Sequence, residues 1–191
     1  MAQATLSNFK TALEYGGARP SLFDIEVDLS SPSFMSGVAA GVGKIISHCN
    51  VSAIPPLTVT PIEKQYFGRT VKIPGDIVFG DLNTTIMNTE DYSVRNAIEA
   101  WMDHINSHSD NVTSDTFADS DFRSTVWLTQ YGKEGSALQY YQFFDAWPMT
   151  LTEIALSHDT ASDIEQFDVT WAYNYYETFG VSSDVVKGTQ T

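Results

Sequence analysis

Two segments of this chain come close to patterns that carry chemistry. Gly37–Lys44 has the composition of a phosphate-binding loop, but Val38 stands where the motif needs its first glycine, and Ile45 stands where a Ser or Thr should contact magnesium. Cys49 follows His48, yet neighbouring residues of a strand point to opposite faces and cannot form a nucleophile–base pair directly. The chain also lacks the Gly-x-Ser-x-Gly sequence of hydrolases. These patterns predict neither nucleotide binding nor covalent catalysis.

Metal-binding patterns are equally incomplete. His104 and His108 share a face of a predicted helix, but a zinc protease needs a glutamate where Ile105 stands. An EF-hand loop that started at Asp119 would place Arg123 at a ligand position, and other starting points fail as well. We therefore expect no catalytic residue, no cofactor and no metal site. An irregular cation site stays open at the acids that follow the helix, Asp110, Asp115, Asp119 and Asp121.

The charge of the chain argues against a nucleic-acid-binding function. Its 191 residues contain 24 acids and 10 bases, which gives a net charge of −14 and disfavours a surface that grips phosphates. The single Cys49 excludes an internal disulfide framework. Residues 1–17 lack the apolar segment of a secretion signal, and no run approaches the roughly 18 apolar residues of a membrane span. We expect a protein with no membrane partner.

Alternating apolar and polar residues indicate two important strands. The run Phe23–Leu29 places its apolar side chains on one face and Asp24, Glu26 and Asp28 on the other. These carboxylates form either an ordinary solvated face or an acidic wall with a purpose. Near the end of the chain, Ile164–Tyr176 alternates in the same way and predicts one strand of about 43 Å, which is unusually long. Such a strand indicates a protein built around its sheet, and a sheet that copies of the chain could extend.

The remaining elements predict a mainly β fold. Residues 92–107 repeat apolar side chains with the period of an amphipathic helix. A basic, extended segment occupies residues 57–75, and further strands are expected at about 22–29, 45–53, 77–79, 82–87, 124–131 and 138–144. Trp147-Pro148 is predicted to interrupt the strand pattern. The expected architecture is a β-barrel or sandwich with one principal α-helix packed on it, anchored by Phe23, Trp101, Trp147 and Trp171.

The whole chain, 1–191, is predicted to be one domain with a core over about 18–178. A short helix over 5–15 is expected before the core, because apolar residues recur there with helical spacing until two glycines stop it. The polar tail over 179–191 is expected to be mobile.

Three stretches in order resemble the tail tube proteins of T-even-like contractile-tailed bacteriophages. The first is Ala18–Phe23, and the second runs from Gln65-Tyr-Phe-Gly-Arg through Pro74-Gly-Asp76 to the helix that ends near Trp101. The third joins Ala146-Trp-Pro148 to the strand that ends near Glu177. The resemblance covers about residues 14–178. The chain departs from the family in a longer segment over 30–44, in the loop over 108–121 and in the tail after Glu177.

The resemblance implies a non-enzymatic, structural virion protein. Its copies would form homohexameric rings that stack into a hollow tube inside a contractile sheath, with the genome passing through the lumen. The implied partners are further copies, the sheath protein, baseplate and tail-terminator proteins at the two ends, and a tape-measure protein and DNA that pass without specific binding. Tubes of type VI secretion systems are implied to share the architecture. Assembly is expected in the host bacterial cytoplasm, before the protein becomes part of the virion.

Physical requirements of such a tube suggest where its functional residues lie. A basic lumen would trap DNA, so we expect acids to face the channel, with Asp24, Glu26, Asp28 and Asp168 as candidates. A basic segment in an acidic protein should dock on another copy. We expect contacts between rings or subunits through charged Lys64, Arg69 and Lys72 and apolar Tyr66 and Phe67.

Three alternatives remain at this point. One is a baseplate protein of related fold that initiates the tube. The second is a secreted tube subunit of a type VI system, which folds alike, although the residues quoted above favour the phage family. The third is a β-barrel enzyme or carbohydrate-binding module that uses the aromatic residues Trp127, Tyr140, Tyr141 and Trp171.

Overall fold

The computed structural model of the chain describes residues 17–28, 48–110, 122–157 and 163–180. The predicted helix over 5–15, the phosphate-loop-like segment over 37–44, most of the loop over 108–121 and the tail beyond residue 180 lie outside the described residues. In the described part the fold is mainly β with one long α-helix, which confirms the predicted fold class.

Seven strands form one continuous antiparallel sheet that is folded into two halves. The first half-sheet contains, in spatial order, β1 (Phe23–Val27), β6 (Ser124–Tyr131), the first part of β7 (Ala137–Leu151) and β9 (Tyr175–Gly180). The second half-sheet contains the last part of β7, then β8 (Gln166–Ala172), β5 (Leu82–Met87) and β2 (Cys49–Ser52). Strand β7 therefore belongs to both halves.

The corner between the two halves lies at Asp145. Its φ of 56° is unusual for a residue with a side chain and turns the strand sharply. Asn174 closes the same corner, because its amide donates to an Asp145 carboxylate oxygen at 2.6 Å and its backbone N–H donates to the Phe144 carbonyl at 3.1 Å. The long strand predicted over Ile164–Tyr176 is therefore wrong: β8 ends before this corner and β9 begins after it.

The predicted interruption of the strand at Trp147-Pro148 is also wrong. Strand β7 continues through both residues to Leu151. Pro148 lies opposite Trp171 of β8, and the register shifts between Pro148 and Thr150, where the ladder loses the proline N–H.

The core lies between the inward faces of the two half-sheets and is closed by helix α1 (Ser93–Ile105). Val94, Ala97, Ile98 and Trp101 form the buried stripe of the helix, as the predicted period requires. The rings of Trp101 and Trp171 meet edge to face, with their centroids 5.7 Å apart. The apolar core is completed by both half-sheets, notably Ile25, Val27, Leu82, Ile86, Val126, Leu128, Phe143, Phe167 and Val169.

A two-stranded ribbon projects from this body. It consists of β3 (Leu57–Tyr66) and β4 (Arg69–Phe79), and we call Leu57–Phe79 the arm. Phe67 and Gly68 form its two-residue turn, both with positive φ. The short strand predicted over 77–79 is the end of β4.

Candidate assembly surfaces

The arm brings all five predicted contact residues together. Lys64, Tyr66, Phe67, Arg69 and Lys72 lie within its outer half, and every residue from Leu57 to Tyr66 is exposed. Lys72 pairs with Glu63 across the ribbon at 3.3 Å, but exposed pairs of this kind contribute little stability. Lys64 and Arg69 make no ion pair with any residue in the described ranges. Two cations of the arm therefore remain available to a partner.

The turn of the arm contains a residue type that such turns disfavour. Phe67 adopts a φ of 44° and is 90% exposed, at a position where Asn, Asp or Gly is preferred. A bulky residue in this conformation costs on the order of 1–3 kcal/mol. Its ring touches only the edge of Tyr66 among the aromatic contacts of the described chain, at 4.7 Å between centroids. An exposed aromatic ring held in this way indicates a contact surface rather than a folding element.

The root of the arm is fixed firmly to the body. The Tyr173 hydroxyl donates to the Gly80 carbonyl at 2.5 Å, and the Gly80 N–H donates to the Pro56 carbonyl at 3.0 Å. Phe79 packs edge to face on Tyr176 at 5.4 Å. Burial raises the pKa of Tyr173 well above the usual range, so its hydroxyl stays protonated as a donor. These contacts fix the direction in which the arm projects from the body.

The four candidate lumen acids do not lie on one surface. Asp24, Glu26 and Asp28 point outward from the first half-sheet, since Ile25 and Val27 point into the core. Asp168 points outward from the second half-sheet, between core residues Phe167 and Val169. Because the two outward faces belong to different half-sheets, Asp168 and the three acids at β1 are alternative candidates for a channel wall, and the expectation that acids face a channel stays a prediction.

The outward face of the first half-sheet combines carboxylates with aromatic rings. Glu26 lies opposite Trp127, Trp127 opposite Gln142, and Gln142 opposite Glu177. Phe144 and Tyr175 stack on the same face with centroids 4.7 Å apart. Half-buried aromatic groups beside charge are typical of protein contact surfaces.

The outward face of the second half-sheet is chemically different. Its centre carries short hydroxyl, amide and carboxylate side chains that hydrogen-bond one another. The Thr85 hydroxyl donates to Asp168 at 2.6 Å, and the Thr170 hydroxyl donates to Asn83 at 2.9 Å. The Asp168 backbone N–H donates to the Thr152 hydroxyl at 2.7 Å. Groups already paired in this way offer few donors to a passing phosphate.

The structure also places the expected anchors and aromatic residues. Trp101 and Trp171 are fully buried, and Phe23 is half-buried against the core. Trp147 is half-buried but lies opposite Ala172 on the outward side of the second half-sheet, because β7 has passed its corner. The aromatic sugar-binding platform is not formed: the Trp171 indole donates to Thr84 inside the core, and Tyr141 packs against the core, away from the face of Trp127.

The remaining titratable candidates are structural. Burial raises the pKa of the Cys49 thiol to about 11, so little reactive thiolate exists near neutral pH. His108 lies beside Asp103, with its Nδ1 3.4 Å from a carboxylate oxygen. Across the described ranges, no group of three or more His, Cys, Asp or Glu side chains converges as a metal site requires. The described part of the chain contains no helix with the length and apolar character to cross a membrane.

Sequence reasoning missed two features of these surfaces. It did not identify the root contacts made by Tyr173 and Gly80, which are 93 residues apart in sequence. It also did not pair the strands of the arm, although Phe67-Gly68 between two alternating runs was a usable hairpin signal.

Comparison with known proteins places this fold in a family. The family model for phage tail tube proteins matches residues 18–179. The tail tube protein gp19 of Enterobacteria phage T4 is 24% identical over 161 residues, which cover 84% of this chain and 91% of that relative. The gp19 protein of Enterobacteria phage T6 matches at the same identity and coverage.

Solved structures share the fold. A chain of the extended sheath–tube complex of the PVC extracellular contractile injection system has a TM-score of 0.57 at 18% identity, over 94% of this chain and 100% of that one. A chain of the tube-terminating cap of the anti-feeding prophage has a TM-score of 0.59 at 13% identity, over 86% and 91%.

Proposed function

The chain belongs to the phage tail tube protein family, and we propose that six copies of it close into a ring and that the rings stack into the inner tube of a contractile tail. Its role is structural, as a component of the tail. The observation that carries the assembly proposal is the arm. A ribbon that exposes apolar and basic side chains, and is fixed at its root, is built to contact another copy of an acidic chain.

The second half-sheet lines the channel in this proposal. Its outward face offers short side chains that satisfy one another, and Asp168 adds negative charge at its centre. DNA carries about one negative charge per 1.7 Å, so such a wall repels it and leaves it free to slide. Asp24, Glu26 and Asp28 then lie on a contact surface, not on the channel wall.

The proposed partners follow from the tube. DNA and a tape-measure protein pass through the channel without specific binding, and no step requires catalysis. The outer wall meets the sheath protein, and the tube ends meet baseplate and terminator proteins. The likeness to chains of a sheath–tube complex and of a tube-terminating cap supports these contacts. Assembly in the host bacterial cytoplasm would precede incorporation into the virion.

Electron microscopy of the purified chain tests the assembly. We expect rings and tubes from the natural chain. Arg69→Glu should reduce tube formation strongly, and the combined Lys64→Glu, Arg69→Glu and Lys72→Glu variant should block it while the subunit stays folded. Lys133→Glu is the matched control for Arg69→Glu, because it makes the same charge change at an exposed turn of the body. Equal tube formation by these two single variants would refute the docking role, and rings that never stack would favour a tube-initiating protein.

The channel wall is tested by reversing charge on each outward face. Asp168→Lys should give tubes that retain added DNA in a salt-dependent way, since each ring would add six cations to the wall. Glu26→Lys makes the same change on the first half-sheet and should not create internal DNA retention. If Glu26→Lys tubes retain DNA inside and Asp168→Lys tubes do not, the first half-sheet lines the channel.

A further inference from the structure

The arm carries two apolar patches on opposite faces and at different heights. The strand register defines the faces, because directly paired residues share a side of the ribbon. In the half next to the body, which we call the base patch, one face holds Leu57, Val59, Pro61, Pro74 and Ile77. In the outer half, which we call the tip patch, the other face holds Ile62, Tyr66, Val71 and Ile73.

Each patch is backed by polar residues on its reverse side. Behind the tip patch lie the Glu63–Lys72 ion pair and the hydrogen bond from the Gln65 amide to the Thr70 hydroxyl. Behind the base patch lie Thr58 and Thr60, with Val78 as the apolar exception. A register shift between Val59 and Pro61 separates the two halves. The apolar side of the ribbon therefore changes from one face to the other along its length.

Neither patch is covered by the part of the chain that the structure describes. Val59 and Ile77 are 47% and 56% exposed, and Val71 and Ile73 are 46% and 47% exposed. No residue between Leu57 and Val78 belongs to the core cluster. A bare two-stranded ribbon is only marginally stable in water, so both patches need a covering surface.

We propose that the two patches are occupied by two different copies of this chain, so that each arm is held between them. A single flat surface can cover one face of a ribbon, and the two patches are offset by about 15 Å along a strand that rises about 3.3 Å per residue. This inference rests on the proposed function, and it adds that every arm links three subunits.

Charge complementarity identifies another copy as the partner of the tip. Lys64 and Arg69 lie on the same face as the tip patch, opposite Val71 and Tyr66 respectively. The outward face of the first half-sheet supplies the complementary chemistry, with Trp127 in one row with Glu26 and Glu177. The tip therefore docks on the first half-sheet of one copy, and the base patch is covered by a further copy.

Photochemical cross-linking of a dilute labelled subunit tests this arrangement. A benzophenone amino acid replaces Tyr66 in the tip patch, Ile77 in the base patch, or both, and the labelled chain is assembled with a large excess of natural chain. Each labelled arm is then surrounded by natural copies. We expect two-chain products from each single label and three-chain products from the double label.

Each other outcome is informative. Two-chain products alone from the double label, with both single labels active, would mean that one copy covers both patches and would overturn the inference. Tubes in which one label never reaches another chain would overturn it as well. Failure of the natural chain to form rings or tubes would instead reject the proposed function.

Polar substitutions provide an independent check. Val71→Asp and Ile77→Asp should each weaken assembly at least about tenfold, because burial of one such side chain contributes that factor or more. Thr70→Asp is the matched control, since Thr70 is the neighbour of Val71 on the polar face and Asp can still accept from Gln65. Equal assembly by Val71→Asp and Thr70→Asp would count against the tip patch.

Discussion

The hydrogen bond between Trp171 and Thr84 offers a sharp test of what holds the body together. The Trp171 indole N–H donates to the Thr84 hydroxyl at 3.0 Å, and that hydroxyl donates to the Val169 carbonyl at 3.2 Å. Trp171 is 0% exposed and Thr84 is 1% exposed, so water cannot replace the acceptor. Thr84→Val keeps the shape of the side chain and leaves a buried N–H without a partner.

The expected cost follows from that burial. An orphaned buried donor costs about 1–3 kcal/mol, and we expect the free energy of unfolding to fall by about 2 kcal/mol. For a chain of this length, that change lowers Tm by about 4–8 °C. Thr129→Val is the matched control, because Thr129 lies on the outward face of β6 and makes no side-chain hydrogen bond within the described residues. Its effect should stay within about 0.5 kcal/mol.

The assay is urea unfolding followed by tryptophan fluorescence. Subunits must be unassembled, as checked by size-exclusion chromatography, because assembly would raise the apparent stability. A double-mutant cycle with Trp171→Phe removes the donor as well, so the cost of Thr84→Val should shrink in that background. Equal costs of Thr84→Val and Thr129→Val, or strictly additive costs in the cycle, would refute the reasoning.

Three further predictions concern the arm and the half-buried Tyr173 at its root. Gly80→Ala should loosen the root and reduce assembly, because the added Cβ would lie 2.8 Å from the Pro56 ring. Gly17→Ala is the control, since its added Cβ meets open space. Hydrogen exchange of the arm amides would measure the loosening. Phe67→Asn should make the isolated arm more ordered by the same method, yet weaken tube formation, and improved assembly would contradict a contact role for the ring. The raised pKa of Tyr173 contributes stability that is complete below the unfolded value of 10.0 and is lost as pH rises above it, so alkaline unfolding should be less steep in Tyr173→Phe.

The sequence predicted the parts of the fold that depend on local period. The helix was located within a few residues, because Val94, Ala97, Ile98 and Trp101 recur with helical spacing and all reach the core. The strand over Ser124–Tyr131 was predicted with its observed bounds. Alternation alone could not locate the corner at Asn174, because the pattern continues unbroken while the pairing passes from one half of β7 to the other.

The assembly surfaces could be predicted only in part from the sequence, for the same reason. The basic and aromatic residues of the arm are neighbours in sequence, so their grouping was predictable. The separation of Asp168 from the acids of β1 depends on which half-sheet each strand joins, and local sequence does not encode that choice. On β4, the change of apolar face between Ile77 and Ile73 likewise depends on the register shift, whereas on β3 alternation alone places Val59 and Ile62 on opposite faces.

The exposed arm has a consequence for when assembly can start. A free subunit exposes the apolar side chains of its arm and has a net charge of −14, so every encounter between subunits begins with mutual repulsion. That repulsion weakens as added salt shortens the Debye length, which is about 8 Å at physiological ionic strength. Spontaneous nucleation is therefore slow in dilute buffer, whereas a preformed template that aligns several arms at once overcomes the barrier. Tube growth should show a lag that shortens with salt and disappears when seeds are added.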